Sequence, residues 1–395
     1  MALADVLTSP DTYLERAKAL QPLLERLAPD SEMRRSVHPD AIAALKQAGL
    51  YRITQPRRIG GAELDLRTMH RVVRALAWSC PAASWVLMVQ LAHTWILGMF
   101  PEAVQDEIAA DDPDTVISGS LAAAGRAVSV EGGWRVSGRF PFASGVDHAR
   151  WNLLGVHVPD AGPGVPRQIH VMAPTRDYEV HDNWFTMGLR GTGSKELVLE
   201  NVFVPEHRAV ASAALFKGRS EWAQRHPTWL HMMPVVIGLA YHLSGVILGI
   251  AESTQAMFVD RMRVRGDKYT GSAKAESPGL QFRVAEAELE IRSADLILDR
   301  VADMFEMLAA ERRLPTTEER AELRFTIAYA VQQCRRAVER LFAAAGANAC
   351  YESSPLQSRF RDMNVAVHHA MVDFDGAAEQ LGRVRLGLPP NSTVL

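Results

Sequence analysis

WFTMGLRGTGSKELVLENVFVPEHR, residues 184–208, joins a glycine-rich turn to alternating apolar residues in a chain whose remaining segments are mostly helical in pattern. Its second half, KELVLENVFV, has the composition and the period of two that predict a strand. Its first half holds three glycines that allow close backbone approach to a ligand, and two hydroxyls: Gly188, Gly191, Gly193, Thr192 and Ser194. The GxxxxGK[ST] spacing of a phosphate-binding loop is missing. From the pattern alone, a strand-linking turn and a cofactor contact are equally good interpretations.

Sequence patterns typical of β-strands also extend from this stretch towards the N-terminus. From residue 116 to about 205 the chain is rich in glycine and β-branched residues, and AVSVEGGWRVSG predicts a hairpin that turns at Gly132 and Gly133. WNLLGVHV and QIHVMA predict two further strands, and no helical pattern interrupts the series. Several strands at short intervals predict a small antiparallel β domain.

Helical patterns lie on both sides of this β region. On the N-terminal side, PDAIAALKQAGLY begins with Pro39 and ends at Gly49, as a helix with its start and stop signals in order. Beyond about residue 227 two long apolar seams follow each other: Val284, Ala287, Ile291, Ala294, Leu298, Val301, Phe305 and Leu308, then Leu323, Ile327, Ala330, Cys334, Ala337 and Leu341. Their three-and-four spacing predicts two long helices that pack on neighbours.

The connection ERRLPTT between the two seams is short, so the two helices should be antiparallel, as in a four-helix bundle. Thr316 and Glu319 have the spacing of a capping box and predict the start of the second helix. We therefore expect a mainly helical protein with a central β domain, divided into an N-terminal helical domain (1–113), a β domain (114–208) and a C-terminal four-helix bundle (209–395).

Composition and charge exclude several classes of protein. The 43 basic and 46 acidic residues give a net charge of −3 without long runs of either sign, which argues against a nucleic-acid or membrane surface. Three cysteines without a CxxC pair indicate neither disulfides nor a zinc site, and suit a reducing compartment. The N-terminus lacks a signal-peptide pattern. PAASWVLMVQLAHTWILGMF (81–100) carries polar residues at its middle and predicts a buried helix rather than a membrane span, so we expect a cytoplasmic protein.

Three stretches hold candidate catalytic groups. In RFPFASGVDHARW (139–151), Ser144 could face a ligand and a following histidine could be oriented by a carboxylate, although an ordinary turn has the same pattern. His93 lies on the apolar helix, where a histidine is more often a core residue with a satisfied hydrogen bond. Near the C-terminus, RDMNVAVHHAMVDFDGAAEQ contains adjacent histidines, His368 and His369.

The usual motifs for metal, nucleophilic and nicotinamide chemistry are missing. Two adjacent histidines on one element point in different directions, and no HExxH or Glu-x-x-His pair is present, so we expect no metal site. A GxSxG nucleophile elbow is missing, and so is a GxGxxG that opens a βαβ unit.

Over nearly its whole length the chain resembles the acyl-CoA dehydrogenase superfamily. The resemblance rests on the order of the three domains and on QPRRIGGAELD (55–65), GLRGTGSKELVLENVFVPEHR (188–208) and AAGANACYESSPLQSRFRDMN (344–364). WRVSGRFPFASGVDHARW and the histidine that follows RD in the tail are most similar to the flavin-dependent two-component monooxygenases, such as the p-hydroxyphenylacetate, secosteroid-phenol and dibenzothiophene oxygenases. A dehydrogenase of this fold needs a carboxylate base. HMMPVVIGLAYHLSGVI (231–247) has no carboxylate, and neither Glu252 nor Glu379 lies in the superfamily's motif.

The resemblance implies an oxygenase component that receives reduced FMN or FAD from a separate NAD(P)H:flavin reductase. It would hydroxylate a small, aromatic substrate with O2 through a C4a-hydroperoxyflavin. Superfamily members of this kind are usually homotetramers. The alternatives that stay open are an acyl-CoA dehydrogenase with a displaced base, an N- or S-oxygenase of the same fold, and a non-catalytic ligand-binding protein.

The resemblance also implies roles for individual residues. It places Ser144 near the flavin N5, and along the flavin it places Trp184, Gly191, Thr192, Gly193 and Ser194. Arg263 matches an arginine that contacts the phosphate of a neighbouring subunit's flavin, although Arg261 or Arg265 could take that role. His369 matches the base that deprotonates a phenol, with His368 second, because adjacent helical residues point about 100° apart. His93 and Ser120 match positions that line the substrate side.

Overall fold

The computed structural model describes residues 9–266 and 271–392. The first eight residues, on which part of the signal-peptide expectation rests, lie outside these ranges, as do 267–269 of the stretch RMRVRGDKY. Within the described residues, helices, a sheet and more helices follow one another in the predicted order, so the predicted fold class is confirmed.

Five helices form the N-terminal part: α1 (Pro10–Arg34), α2 (Pro39–Gln47), α3 (Leu66–Ala77), α4 (Pro81–Leu97) and α5 (Glu102–Asp111). The helix predicted from PDAIAALKQAGLY is α2, and Gly49 adopts the left-handed conformation after it, with φ of +72°.

Helix α4 confirms the expectation of a buried rather than a membrane-spanning helix. It is buried nearly all round, and its polar side chains have protein partners. Gln90 donates to the carbonyl of Thr115 at 2.7 Å and accepts the backbone N–H of Ile117, while Thr94 donates to the carbonyl of Gln90 at 3.1 Å. Because these hydrogen bonds join α4 to the start of the sheet, they fix the helix that carries several site residues.

Seven strands form one sheet in the order β5-β6-β2-β1-β3-β4-β7: β1 (Ile117–Val130), β2 (Gly133–Ala143), β3 (Trp151–His157), β4 (Gln168–Pro174), β5 (Glu179–His181), β6 (Lys195–Pro205) and β7 (Ala209–Ala211). The predicted strands are present, but the sheet is mixed rather than wholly antiparallel, because β1 and β3 are parallel. The hairpin partner β2 occupies one edge of β1. The chain then passes the start of β1, and β3 pairs with the other edge in the same direction.

The hairpin turns one residue earlier than the glycine pair suggests. Val130 pairs with Gly133, so the two loop residues are Glu131 and Gly132. Gly132 has φ of +75°, the conformation that glycine adopts without strain. Gly133 instead lies in β2 against β6, where a Cβ would come within 2.2 Å of the carbonyl of Val204.

Six helices complete the described chain: α6 (Ser212–Phe216), α7 (Val235–Val264), α8 (Pro278–Ala310), α9 (Thr317–Ala344), α10 (Pro355–Ala366) and α11 (Phe374–Arg385). Helices α7, α8 and α9 pack side by side, and α10 and α11 pack against them at the fourth position of the bundle. The two predicted seams face this core, with Val284 only half-buried. The capping box of Thr316 and Glu319 is present as predicted.

Helix α7 is apolar and long enough to cross a membrane, yet 94% of its most apolar window is buried inside the protein. This burial is what the central helix of a large helical bundle requires.

The domain boundaries stay a prediction. Strand β7, which pairs with β4, extends the sheet just past the predicted boundary at 208.

Candidate active site

A cluster of buried hydroxyl groups lies where α4, the end of β2 and the glycine-rich turn meet. Ser144 follows β2, and its Oγ lies 2.7 Å from Ser194 Oγ, which lies 2.7 Å from Thr192 Oγ1. Trp85 of α4 donates its indole N–H to Ser144 Oγ at 3.1 Å. The structure thus brings together three of the predicted site residues and adds Trp85, for which an apolar helix gave no signal.

The directions of the hydrogen bonds within this cluster can leave the Ser144 hydroxyl as a donor to a ligand. Each hydroxyl has one proton and can also accept. Thr192 can donate to the carbonyl of Leu189 at 2.9 Å or to Ser194, and Ser194 can then donate to Ser144. Because Trp85 already donates to Ser144, the Ser144 proton is available either for Ser194 or for an acceptor on a bound molecule.

The glycines of the turn serve close packing as well as conformation. A Cβ at Gly188 would lie 2.1 Å from the carbonyl oxygen of Arg361 on α10, and one at Gly191 would lie 3.1 Å from Cβ of Ala82 on α4. Gly193 has φ of +53° and forms the turn itself. The turn is therefore held between α4 and α10, next to the hydroxyl cluster. The flavin contacts of Gly191 and Gly193 stay predictions.

Exposed apolar residues lie next to the buried Trp184 in the sequence and in space. Its indole N–H donates to the carbonyl of Leu189 at 3.2 Å, and its ring meets that of Phe142 edge-on at 6.2 Å. Phe142, Phe185 and Met187 are all exposed, and Phe142 has φ of +64°, which is uncommon for an aromatic residue. Large exposed apolar groups beside buried hydroxyls offer a surface on which a flat aromatic molecule can stack.

Of the two adjacent histidines, His369 lies against Trp85, the residue that donates to the hydroxyl cluster. Its ring meets that of Trp85 edge-on, with centroids 5.8 Å apart. The residue keeps exposed surface, and desolvation by the protein atoms packed around it lowers the pKa of His369 to about 4. Nδ1 accepts the backbone N–H of Met371 at 3.2 Å, so the neutral ring carries its proton on Nε2 in this arrangement.

His368 is exposed and has no ring contact among those found in the described chain. The expectation that both histidines lie on one helix is wrong, because α10 ends at Ala366 and His369 begins a single turn of 3₁₀-helix. The change from α-helix to a 3₁₀ turn, rather than the period of an α-helix, therefore gives the two histidine side chains their different surroundings.

His93 is fully enclosed between α4 and the sheet. Its Nδ1 donates to the carbonyl of Ile117 at 2.8 Å, and burial lowers its pKa to about 4, so the ring is neutral at pH 7. Ser120 is buried three residues further along β1, and Ser118 between them donates to the carbonyl of Ser144 at 2.8 Å. His93 and Trp85 thus lie on the same helix, and the bond from Ser118 of β1 to Ser144 links their two partners. The substrate-side roles of His93 and Ser120 stay predictions.

Comparison with known proteins decides the family. Residues 16–107 match the acyl-CoA dehydrogenase N-terminal domain, and residues 241–374 match the acyl-CoA dehydrogenase C-terminal domain. The oxygenase component of p-hydroxyphenylacetate 3-hydroxylase from Acinetobacter baumannii is 33% identical over 97% of this chain and 91% of its own length. The chain belongs to the acyl-CoA dehydrogenase family, in its branch of flavin-dependent oxygenase components.

Solved structures in this oxygenase branch have the same fold. The 3-HSA hydroxylase from Rhodococcus sp. RHA1 is 30% identical, with a TM-score of 0.91 over 97% of this chain and 98% of that one. XiaF from Streptomyces sp., solved with FADH2 and glycerol, is 28% identical, with a TM-score of 0.89 over 98% of each chain.

The residues around the hydroxyl cluster fit a flavin, the cofactor of this branch. A flavin ring is flat and aromatic with polar atoms along one edge. Here, buried Ser144 has a proton that can go to Ser194 or to a ligand, and exposed Phe142 offers an apolar face two residues away, while Phe185 has the Arg35 guanidinium over one face. The agreement with a flavin therefore rests on the Ser144 hydroxyl and on the exposed aromatic side chains of this chain.

Asp362 is a site residue that the sequence analysis missed, although it lies in the quoted RDMN motif. Its carboxylate accepts the backbone N–H of Leu189 at 2.6 Å and so ties α10 to the glycine-rich turn. Loss of surrounding water raises the pKa of Asp362 to about 6, while the nearby Arg359 guanidinium opposes that rise. The neighbouring Arg361 donates to the carbonyl of Met187 at 2.7 Å, a second tie to the same turn.

Replacing Asp362 by alanine should destabilise the protein more than replacing it by asparagine. Both changes remove the charge that faces Arg359, but only asparagine keeps an oxygen for the N–H of Leu189. Because the folded-state pKa of about 6 lies above the usual value of 3.8, ionisation of Asp362 destabilises the fold progressively from pH 3.8 and fully above about pH 6. A neutral isostere therefore costs little at pH 8.

We expect the Asp362→Ala variant to be less stable than Asp362→Asn by about 1–3 kcal/mol, the cost of an unpaired buried N–H. Urea denaturation of both variants at pH 8 measures the difference. Equal stability of the two variants would contradict a role for this hydrogen bond.

The three arginines considered for the phosphate contact lie in different surroundings, and the contact itself stays a prediction. Arg263 is exposed and lies 3.5 Å from Asp260, within the same helix. Arg265 instead donates to the carbonyl of Ala345 at 2.7 Å and lines a cleft together with Lys274 and Arg283. Of the three arginines considered, Arg265 is therefore the one in a basic cleft; Arg261 lies beside Ser354, at 3.4 Å.

The glutamates that could serve a dehydrogenase have other partners. Glu252 forms a half-buried ion-pair network with Arg74, which also pairs with Asp295 at 2.6 Å. Glu379 accepts from the side chain of Asn391 at 2.8 Å. Neither carboxylate contacts the hydroxyl cluster, in keeping with membership of the oxygenase branch.

A separate cluster of ligating groups contrasts with the expectation of no metal site. In the part of the chain that the structure describes, Glu63, His226 and His231 place one ligand atom each within 4.8 Å of one another. No spacing motif could reveal this cluster, because the glutamate and the histidines are more than 160 residues apart and meet only in the folded chain.

Proposed function

We propose that this oxygenase component hydroxylates a small phenolic substrate, with reduced FMN or FAD from a separate NAD(P)H:flavin reductase and with O2. The observation that supports this proposal is the position of His369 against Trp85, whose indole N–H binds Ser144 of the buried hydroxyl cluster. A neutral imidazole stands here, where a dehydrogenase would need a carboxylate.

Trp184, Gly191, Thr192, Gly193 and Ser194 would hold the flavin along the turn, and Ser144 would donate its hydroxyl proton to the flavin edge. When bound, the reduced flavin supplies the activation of O2. The protein's part is to bind and orient both reactants and to exclude water. The buried hydroxyl cluster and the enclosed His93 suit a dry pocket.

His369 would accept the phenolic proton and so make the ring carbons of the substrate more nucleophilic. The lowered pKa keeps the imidazole neutral at pH 7, which a base requires. To accept at Nε2, the ring proton must first move to Nδ1. This shift breaks the hydrogen bond from Met371, which lies at an exposed position and so costs little.

Reconstitution with a flavin reductase tests the proposal. We expect NAD(P)H-driven oxygen uptake to yield hydroxylated product from a panel of simple phenols, and no product with reductase alone. The panel includes an aromatic amine and a thioether, because oxygenation of those compounds alone would favour an N- or S-oxygenase. Bleaching of oxidised flavin by acyl-CoA without reductase would instead favour a dehydrogenase, and failure to bind any flavin would favour a non-catalytic protein.

We further propose a homotetramer in the cytoplasm. Phe282, Leu289 and Leu296 lie seven residues apart on α8 and are all strongly exposed, an apolar stripe that a second copy of the chain could cover. The cysteines are free, and Cys80 and Cys334 are buried, which suits a reducing compartment. Light scattering during size-exclusion chromatography measures the number of subunits directly.

A further inference from the structure

Glu63, His226 and His231 form a closed cluster apart from the hydroxyl cluster. Glu63 precedes α3, and the two histidines lie in the segment that leads into α7. Glu63 Oε1 is 3.7 Å from Nε2 of His231 and 3.8 Å from Nδ1 of His226. The side chains of Glu63 and His231 have no exposed surface, and that of His226 is 6% exposed.

The hydrogen bonds of the two histidines direct lone pairs towards the glutamate. Nδ1 of His231 lies 2.8 Å from the carbonyl of Trp95, and Nε2 of His226 lies 2.9 Å from the carbonyl of Gly98. Because a carbonyl can only accept, these two nitrogens carry the protons of the neutral rings. The opposite nitrogens therefore present lone pairs, and Nε2 of His231 is buried without any hydrogen-bond partner.

The carboxylate between these lone pairs has no basic side chain to neutralise it. Glu63 accepts the backbone N–H of Arg57 at 3.0 Å and the hydroxyl of Thr228 at 2.7 Å, both neutral donors. Among the described residues, no lysine or arginine forms an ion pair with Glu63, whose only ion-pair neighbours are the two histidines. A buried carboxyl oxygen that faces two imidazole lone pairs is repelled by them unless a metal ion, a proton or a water molecule lies between the three groups.

We propose that Glu63, His226 and His231 bind one divalent transition-metal ion, Zn²⁺ by the chemistry of the ligands. Two imidazoles and a carboxylate are a common zinc ligand set, and metal-binding histidines usually donate their other N–H to a carbonyl or carboxylate, as both do here. Bonds of about 2.0–2.1 Å place tetrahedral ligand atoms roughly 3.3–3.4 Å apart. The two distances from Glu63 exceed that spacing by only a few tenths of an ångström.

We assign the site a structural role, because its three ligand side chains are almost wholly buried and come from segments that meet only here. A water molecule would complete the four-coordinate shell of the ion. The site joins the loop before α3 and the segment before α7 to the C-terminal end of α4, whose carbonyls hold both rings. Gly98 makes this arrangement possible, since a Cβ there would lie 2.2 Å from the ring of His231. An ion at this point would fix α4, the helix that carries Trp85 and His93. A cavity of about 270 Å³ lies next to the cluster and is lined by Glu63 and Thr228.

Metal analysis of the untagged full-length protein, purified without chelator, tests the proposal. We expect inductively coupled plasma mass spectrometry to find one zinc per chain in the wild-type protein, and at least a tenfold lower content in His231→Asn. The matched control is His207→Gln, because His207 is an exposed histidine that lies outside the cluster and should leave the metal content unchanged.

Two measurements keep the test decisive if His231→Asn folds poorly. Chelator-treated wild-type protein should take up one Co²⁺ per chain, with the visible absorption of a cobalt site that has nitrogen ligands. Gly98→Ala retains every ligand but displaces the His231 ring, and we expect it to weaken Co²⁺ binding by about 10-fold or more. Wild-type protein that contains no metal and takes up neither Zn²⁺ nor Co²⁺ at micromolar concentration would overturn the proposal and leave a proton or a water molecule between the three groups.

Discussion

His369→Ala is expected to lower the rate of substrate hydroxylation by about 10²–10⁴, the usual contribution of a general base. Oxygen uptake should continue, because the hydroxyl cluster proposed to face the flavin edge is held together by hydrogen bonds that do not involve the imidazole. The oxygen consumed should then appear as hydrogen peroxide rather than as product. Parallel assays of product, NADH oxidation and peroxide in the reconstituted system measure this shift.

The matched control is His368→Ala, which removes a histidine from the adjacent, exposed position and should leave coupling close to the wild-type value. A large loss in His368→Ala together with a small one in His369→Ala would show that the base is assigned one residue too late. The wild-type rate should also be flat between about pH 6 and pH 8. A pKa of about 4 leaves His369 neutral throughout that range, and the rate should fall only as acid protonates the ring.

Ser144→Ala is expected to raise the share of oxygen lost as peroxide by about tenfold, the effect of one hydrogen bond to a reacting group. The change removes a hydroxyl that accepts from Trp85 and whose own proton can go either to Ser194 or to a ligand. Hydroxylated product per NADH should fall accordingly, while the affinity for the phenol changes little. Product and peroxide yields at saturating substrate measure the effect.

Trp85→Phe provides the control for Ser144→Ala. Phenylalanine keeps an aromatic ring next to His369 but lacks the N–H that binds Ser144 Oγ. If the Ser144 hydroxyl acts directly on the flavin, Trp85→Phe should retain most of the coupling. Equal loss in both variants would mean that Ser144 acts only by holding Trp85, and wild-type coupling in Ser144→Ala would remove Ser144 from the mechanism.

Local patterns in the sequence were enough to predict most of the helices and strands. The seams of α8 and α9, the capping box at Thr316 and the strand KELVLENVFV depend on interactions between residues a few positions apart, and each was predicted correctly. The parallel pairing of β1 and β3 was missed, because it depends on which edge of β1 is free after the hairpin has formed. The choice of edge depends on where the other strands pair, so the sequence of a single strand does not reveal it.

The sequence alone determined the family, the order of helices and sheet, and the residues of the glycine-rich turn, because these follow from periodicity and from motifs of contiguous residues. Only the tertiary structure decided which groups meet. It placed Trp85 between Ser144 and His369, tied Asp362 to Leu189, and brought Glu63 to His226 and His231. These contacts join segments from 59 to 284 residues apart. Hydrogen bonds and ion binding depend on distances in space, which packing of α4, the sheet and the C-terminal helices sets and which spacing along the chain does not record.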